Sequence, residues 1–227
     1  MKIYCCSDIH GCMKEFEKAL SLIIDHLDEP DTMLCLLGDY VHGGSDNYGV
    51  LDKIMNLQDI YGTDKVVALM GNHEKFILSG DSTINHLIKP SNEIDSNDDK
   101  YIAWMKKLPL YYAKGNTIFV HAGIEEDAGD MWEWLTEDET FVGKYPAEIG
   151  AIENLDMKVV AGHIGTAEIS GDSNFHDIYY DGASHYYIDG AVLDSGIIPI
   201  LFVDTNYDKY YRVTETGNYL IFPYYEY

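Results

Sequence analysis

Leu36 to Asn47 reads LLGDYVHGGSDN, and within it Asp39 stands directly behind the apolar run Met33 to Leu37. Two further stretches repeat this arrangement. Ser7-Asp8-Ile9-His10-Gly11 follows Ile3 to Cys6, and Gly71-Asn72-His73-Glu74 follows Val66 to Met70. Each short apolar, β-rich run reads as a buried strand ending in a turn. In an open α/β sheet the carboxyl ends of the strands form the ligand crevice. Three strand ends therefore bring Asp8, His10, Asp39, Asn72 and His73 to one place. Such N and O donors suit Mn, Fe or Zn. Asp39 takes the central position, because one carboxylate between two cations can bridge them.

Outward from these stretches the chain alternates. Lys2 to Ser7 reads as a strand. Gly11 to His26 reads as one helix, with Met13, Phe16, Ala19, Leu20 and Ile23 on one face. A second helix runs from Asn47 to Ile60, a third strand from Lys65 to Met70, and a short helix begins near His73. This β-α-β-α-β order implies a mostly parallel, buried sheet with right-handed crossovers. Ser79 to Lys100 turns polar and reads as a surface insertion. Tyr101 to Leu108 reads as a helix. Leu110 to Ala113 and Thr117 to Val120 flank Lys114-Gly115-Asn116, a hairpin signal. Lys158 to Ala161 reads as a strand ending at Gly162-His163. From Asp177 onward, short β-like runs read as antiparallel strands of a second sheet, with 206–227 as a C-terminal β extension. No domain-scale linker interrupts the 227 residues, which suits a single domain.

Thirty-nine acidic residues against fifteen Lys and Arg give a formal net charge of −24. That surface repels phosphate backbones and anionic membranes, so it argues against nucleic acid and membrane partners; solubility is its simplest role. Arg212 is the sole arginine, which matters because phosphate sites favour the bidentate guanidinium. Cys5, Cys6, Cys12 and Cys35 form no CxxC pair and read as core thiols of a cytoplasmic protein. No signal peptide or membrane span is evident in the sequence.

Asp-Ile-His-Gly, Gly-Asp-Tyr-Val-x-x-Gly, Gly-Asn-His-Glu, then His121 in His-Ala-Gly and His163 in Gly-His, together resemble the motif series of calcineurin-like metallophosphoesterases. The spacing is most similar to the phosphoprotein phosphatase branch, with its bacterial and phage serine/threonine phosphatases and symmetrical diadenosine tetraphosphatases. Trp104 to Leu110 and Ile188-Asp189-Gly190-Ala191 resemble later stretches of that branch, so the likeness covers roughly residues 1 to 205. The resemblance implies an α/β fold, an αββα sandwich of two mixed sheets flanked by helices. It implies Asp8, His10 and Asp39 on a first divalent metal and Asp39, Asn72, His121 and His163 on a second, Mn²⁺ before Fe or Zn. A hydroxide between the metals would attack phosphorus in line, and His73 would protonate the leaving oxygen.

The sequence departs from the family where the second motif should continue Asp-Arg-Gly. Here it reads His42-Gly43-Gly44. The family's aspartate orients the catalytic histidine, and its arginine clamps the substrate phosphate. His42 keeps hydrogen-bonding capacity towards His73 but lacks a carboxylate's charge. The second clamping arginine is replaced by Thr136 after Trp134-Leu135. Asn72, His73, His42 and Lys75 are then the candidate substrate contacts. The leading functional reading is a phosphatase of phosphoproteins or small phosphomonoesters. The alternatives are a hydrolase of dinucleoside polyphosphates or diesters, and a degenerate metal-binding interaction protein.

Overall fold

Residue alternation along the strands builds the core of this protein. A computed structural model describes residues 1–88 and 98–226. In β1 (Lys2–Cys6), β2 (Thr32–Leu36) and β3 (Val66–Ala68), successive side chains point to opposite faces. Tyr4, Cys6, Leu34, Leu36, Val66 and Ala68 pack on one side with Phe16, Leu20, Val50, Leu51 and Ile54. These partners come from α1 (Met13–Ser21) and α2 (Asn47–Tyr61). Ile3, Cys5, Met33, Cys35 and Val67 pack on the other side, against Phe119, Val160 and Tyr186 of the second sheet. Strands buried on both faces need apolar residues at every position, which explains the uninterrupted runs.

The second sheet runs β4 (Tyr111–Lys114), β5 (Thr117–Val120), β6 (Lys158–Ala161), β8 (His185–Tyr187), β7 (Tyr179–Tyr180) in spatial order. β5, β6 and β8 are mutually parallel, and β4 and β7 are antiparallel edges. Its outer face, with Ile118, Val120, Val159 and Ala161, is covered by Trp132, Phe141 and Val142. The last three lie on α3 (Trp132–Leu135) and α4 (Asp138–Gly143). The order of layers is helix, sheet, sheet, helix, the αββα sandwich expected.

Three expectations need correcting. The late strands β9 (Leu201–Asp204), β10 (Lys209–Thr214) and β11 (Gly217–Leu220) do not join the second sheet. They extend the first, in the order β11-β10-β9-β1-β2-β3. β9 pairs antiparallel with β1, Lys2 opposite Asp204. The helix expected over Gly11 to His26 is divided. After Ser21 it tightens into i→i+3 bonds, Leu22 N–H to Ala19 O and Ile23 N–H to Leu20 O, and a 3-10 turn covers Ile24–Asp28. Ile23 and Leu27 remain fully buried, so the apolar pattern survives the change of helix type. Finally, the polar segment from Ser79 is not wholly superficial, since Ser82 and Ile84 are buried; its residues 89–97 lie outside the described ones. Among the described residues no helix is long and apolar enough to cross a membrane.

Candidate metal centre and active site

The carboxyl ends of β1, β2 and β3 in one sheet and β5 and β6 in the other open onto the same crevice. Asp8, Asp39, Asn72, His121 and His163 each follow one of these ends by one to four residues. Asp8, His10, Asp39, His42 and His163 all adopt positive φ, between 49° and 74°. Left-handed backbone costs an L-residue roughly 1–2 kcal/mol and persists where surroundings over-determine it. Here main-chain bonds do so: Ile9 N–H and His10 N–H both donate to Asp39 O at 2.9 Å, and Gly11 N–H to Tyr40 O. Gly71 is needed for close approach, because a Cβ there would lie 2.2 Å from Asp39 Oδ1.

Asp39 divides its two oxygens between two groups of donors. Oδ2 faces His10 Nε2 at 3.9 Å and His73 Nε2 at 3.6 Å; Oδ1 faces His121 Nε2 at 3.5 Å. His10, Asp39 and His73 form one metal-sized cluster, and Asp39, His121 and His163 a second. Asp8 Oδ1 adds a donor 3.8 Å from His10 Nε2, and Asn72 Oδ1 lies 2.9 Å from His121 Nε2. Asp8 also accepts the His163 backbone N–H at 3.0 Å. All six expected ligands thus converge, and His73 joins the first cluster too.

The donor set fits divalent cations. His121 Nδ1–H donates to Leu37 O at 2.8 Å, and His10 Nδ1 pairs with Val41 O at 3.2 Å. Each leaves its Nε2 lone pair towards the cluster, as carbonyl-anchored metal ligands do. Burial pushes the His121 imidazole down to about 4, and burial aided by His10, His42 and His121 pushes His73 down to about 3. Neutral imidazoles are the ligating form. Asp39 is pushed well up, first by burial, then by Glu74 and Asp8. Asp189 is raised by burial and by Asp8. Among the described residues, the ion-pair partners of Asp8 and Asp39 are all histidines. Lone pairs and carboxylates meet here without a fixed cation, an arrangement that cations between them stabilise.

The remaining expected contacts are placed as follows. His42 is buried and its Nδ1 lies 2.9 Å from His73 Nδ1. Its Nε2–H donates to the Thr83 carbonyl at 2.7 Å. Lys75 is ion-paired with Glu139 of α4. At the two positions of the missing arginines, a Cβ on Gly43 would meet Leu193 Cδ1 at 2.5 Å, while Thr136 is buried, its hydroxyl donating to Trp132 O and accepting Glu125 N–H.

Two contributors escaped the sequence reading. Glu74, fully buried, accepts N–H bonds from Asp39 at 2.9 Å, Tyr40 at 2.8 Å and Gly71 at 3.1 Å. It fastens the second strand-end loop to the third. A glutamate opening a helix beside a glycine was a usable signal. The Thr83 carbonyl had none, being a main-chain atom in a segment that reads as surface.

Comparison with known proteins adds a family. The model for calcineurin-like phosphoesterases matches residues 1–210. The symmetrical bis(5'-nucleosyl)-tetraphosphatase of Nitrosospira multiformis is 31% identical over 128 residues, 55% of this chain and 44% of that protein. The enzyme of the same name from an Acidovorax species is 28% identical over 166 residues, 67% of this chain and 51% of that one. The chain therefore spans about half the length of the curated relatives it matches. In fold it is similar to a cold-active protein-tyrosine phosphatase (TM-score 0.66, 17% identity, 98% of this chain and 79% of that one). A Saccharomyces cerevisiae protein serine/threonine phosphatase gives a TM-score of 0.50 at 14% identity, covering 97% and 79%.

Proposed function

This chain belongs to the calcineurin-like phosphoesterase family, and from that premise we propose that it is a dinuclear-metal hydrolase that cleaves phosphoanhydrides of dinucleoside polyphosphates. The observation that carries the reading is the division of Asp39, one oxygen towards each cluster. Asp8, His10 and Asp39 would hold one divalent ion and Asp39, Asn72, His121 and His163 the other, Mn²⁺ ahead of Fe or Zn for this N/O set. Such a pair, when bound, activates water and neutralises phosphoryl oxygens. The protein's own share is positioning. Glu74 fixes the main chain on both sides of Asp39, and the Leu37 and Val41 carbonyls aim His121 and His10. His73, with Nε2 3.6 Å from Asp39 Oδ2, would lie beside the leaving oxygen as its proton donor. Asn72 contributes a neutral oxygen, adding no charge to a crowded acidic site.

The substrate class rests on the names of the curated relatives, symmetrical bis(5'-nucleosyl)-tetraphosphatases. These favour the anhydride reading over the phosphoprotein phosphatase that the sequence put first. The complete donor set argues against a non-catalytic interaction protein. Three buried free thiols, Cys5, Cys6 and Cys35, suit a reducing cytoplasm.

The test is hydrolysis of diadenosine tetraphosphate followed by chromatography, with Mn²⁺, with chelator and with Asp39→Asn, beside a phosphoserine peptide. Two equivalents of ADP, formed only with metal and lost in the variant, are expected. Faster metal-dependent release of phosphate from the peptide would restore the phosphatase reading.

A further inference from the structure

We propose that the cavity between α1, the loop 43–46 and a short helix, Val192–Ser195, receives a nucleoside end of the dinucleotide, and that Leu193 selects for it. The inference rests on the anhydride-hydrolase reading above and adds to it the place of the base and sugar.

Three segments lead from the metal centre into the walls of this cavity. Cys12 and Met13 follow His10 into α1, residues 43–46 follow His42, and Val192–Ser195 follows Asp189. The first two are pressed together. Gly44 N–H donates to His10 O at 2.6 Å, and Asp46 N–H to Gly11 O at 3.0 Å. A Cβ on Gly44 would stand 2.4 Å from the Gly11 carbonyl carbon, so the two loops meet as bare main chain. The third segment is tied to the loop after His163, where Thr166 N–H donates to Asp189 O at 2.9 Å. The space so enclosed is about 700 Å³, the size of a small-molecule site. Cleavage to two ADP leaves one phosphate between the attacked phosphorus and its own nucleoside. A nucleoside site must therefore adjoin the metal-ligand loops, as this cavity does.

The chemistry of the wall fits a nucleoside better than further phosphate. Glu15, Glu17 and Asp46 set three carboxylates there against the ammonium of Lys14. That balance repels phosphate oxygens and accepts hydroxyl and amino donors. Asp46 already caps α2, its Oδ1 accepting Gly49 N–H at 2.9 Å, which leaves Glu15 and Glu17 as acceptors for ribose hydroxyls. Leu193 supplies the apolar part. It is 53% exposed, and its Cδ1 lies 2.5 Å from where a Cβ of residue 43 would stand. With Met13 it offers a base a non-polar face. Covering the exposed half of a leucine is worth on the order of fivefold to tenfold in affinity.

Cys12 lines the cavity and is partly exposed, whereas Cys5, Cys6 and Cys35 are buried. Alkylation of the metal-free protein by iodoacetamide therefore reports on this place without any turnover. Millimolar adenosine is expected to slow alkylation of Cys12 in wild type, with at least fivefold weaker apparent affinity in Leu193→Asp. In the Mn²⁺-loaded enzyme, kcat/KM for diadenosine tetraphosphate relative to inorganic tetraphosphate should fall at least fivefold in Leu193→Asp, through KM. Ile60→Asp, an exposed apolar position on α2, should leave that ratio unchanged. No protection by adenosine, equal protection by inorganic phosphate, protection by an arginine-rich phosphoserine peptide in its place, or an unaltered ratio in Leu193→Asp overturns the inference. Absence of metal-dependent turnover of every substrate overturns instead the hydrolase reading beneath it, while protection of Cys12 in the metal-free protein still decides whether the cavity takes a nucleoside.

Discussion

Replacing Glu74 with Gln keeps size and shape but turns one acceptor oxygen into a donor. Three main-chain N–H groups converge on this side chain, Asp39 and Gly71 on Oε2 and Tyr40 on Oε1. With no competing acceptor between them, they require the carboxylate form, even though burial pushes Glu74 upward. Whichever way the amide is turned, at least one N–H must face an NH₂ group. A hydrogen bond to a charged acceptor is worth about 1.5–3 kcal/mol, and a buried donor left unpaired costs about 1–3 kcal/mol. Removing a carboxylate that repels Asp39 returns part of this. The net expectation is a loss of about 2 kcal/mol, which lowers Tm by about 4–8 °C for a chain of this size. The loss reaches function because the freed N–H groups flank the proposed metal-bridging carboxylate. Calorimetric unfolding of metal-free Glu74→Gln, paired with Mn²⁺ titration, checks both effects. A Tm within about 1 °C of wild type together with unchanged Mn²⁺ affinity would refute the clamp.

Metal-free Asp39→Asn is expected to unfold at a higher temperature than metal-free wild type near neutral pH. The carboxyl is pushed well up by burial, Glu74 and Asp8, so its charge costs stability above the ordinary carboxylate range; a lower Tm contradicts this. His185 is held between Asp181 at 2.8 Å and Glu126 at 3.0 Å, and although burial opposes its charge, these partners raise it to about 9. A pKa raised on folding stabilises fully below the unfolded value, near 6.5, and the gain is lost as pH rises through about 9. The stability difference between wild type and His185→Gln should therefore shrink by roughly 3 kcal/mol from about pH 6 to about pH 10, read by denaturant unfolding; a constant difference contradicts it. Gly43→Arg, which restores the family's clamp in sequence, should lower Tm without lowering KM, because φ is +103° and Leu193 occupies the Cβ position; a lower KM would show that Leu193 yields.

The strand ends were legible because each couples a period to a chemistry. A doubly buried strand must be apolar at every position, and a side chain able to bind metal follows each one. Asp8, Asp39, Asn72, His121 and His163 all satisfied that rule, and the family motif named their order. β9 to β11 satisfied the local half of it, and their strand character was read correctly. Which sheet they join depends on β9 finding the free edge of β1, a pairing about two hundred residues apart in sequence that no local pattern encodes. The segment after Ser79 misled for another reason. Its polarity is real, but Ser82 and Ile84 turn inward and a main-chain oxygen of Thr83 does the work at His42. Backbone acceptors leave no trace in side-chain identity. Glu74 was legible as part of a motif, yet its role follows only from three N–H groups brought together by two loops.

Metal stoichiometry tests the central claim most directly. Wild type and Asp39→Asn, freed of metal, reloaded with Mn²⁺ and desalted, would be assayed for bound metal per chain. A shared Asp39 predicts two ions in wild type and the loss of both sites together in the variant. One ion in wild type, or one retained at full affinity in Asp39→Asn, would contradict a centre built around a bridging carboxylate.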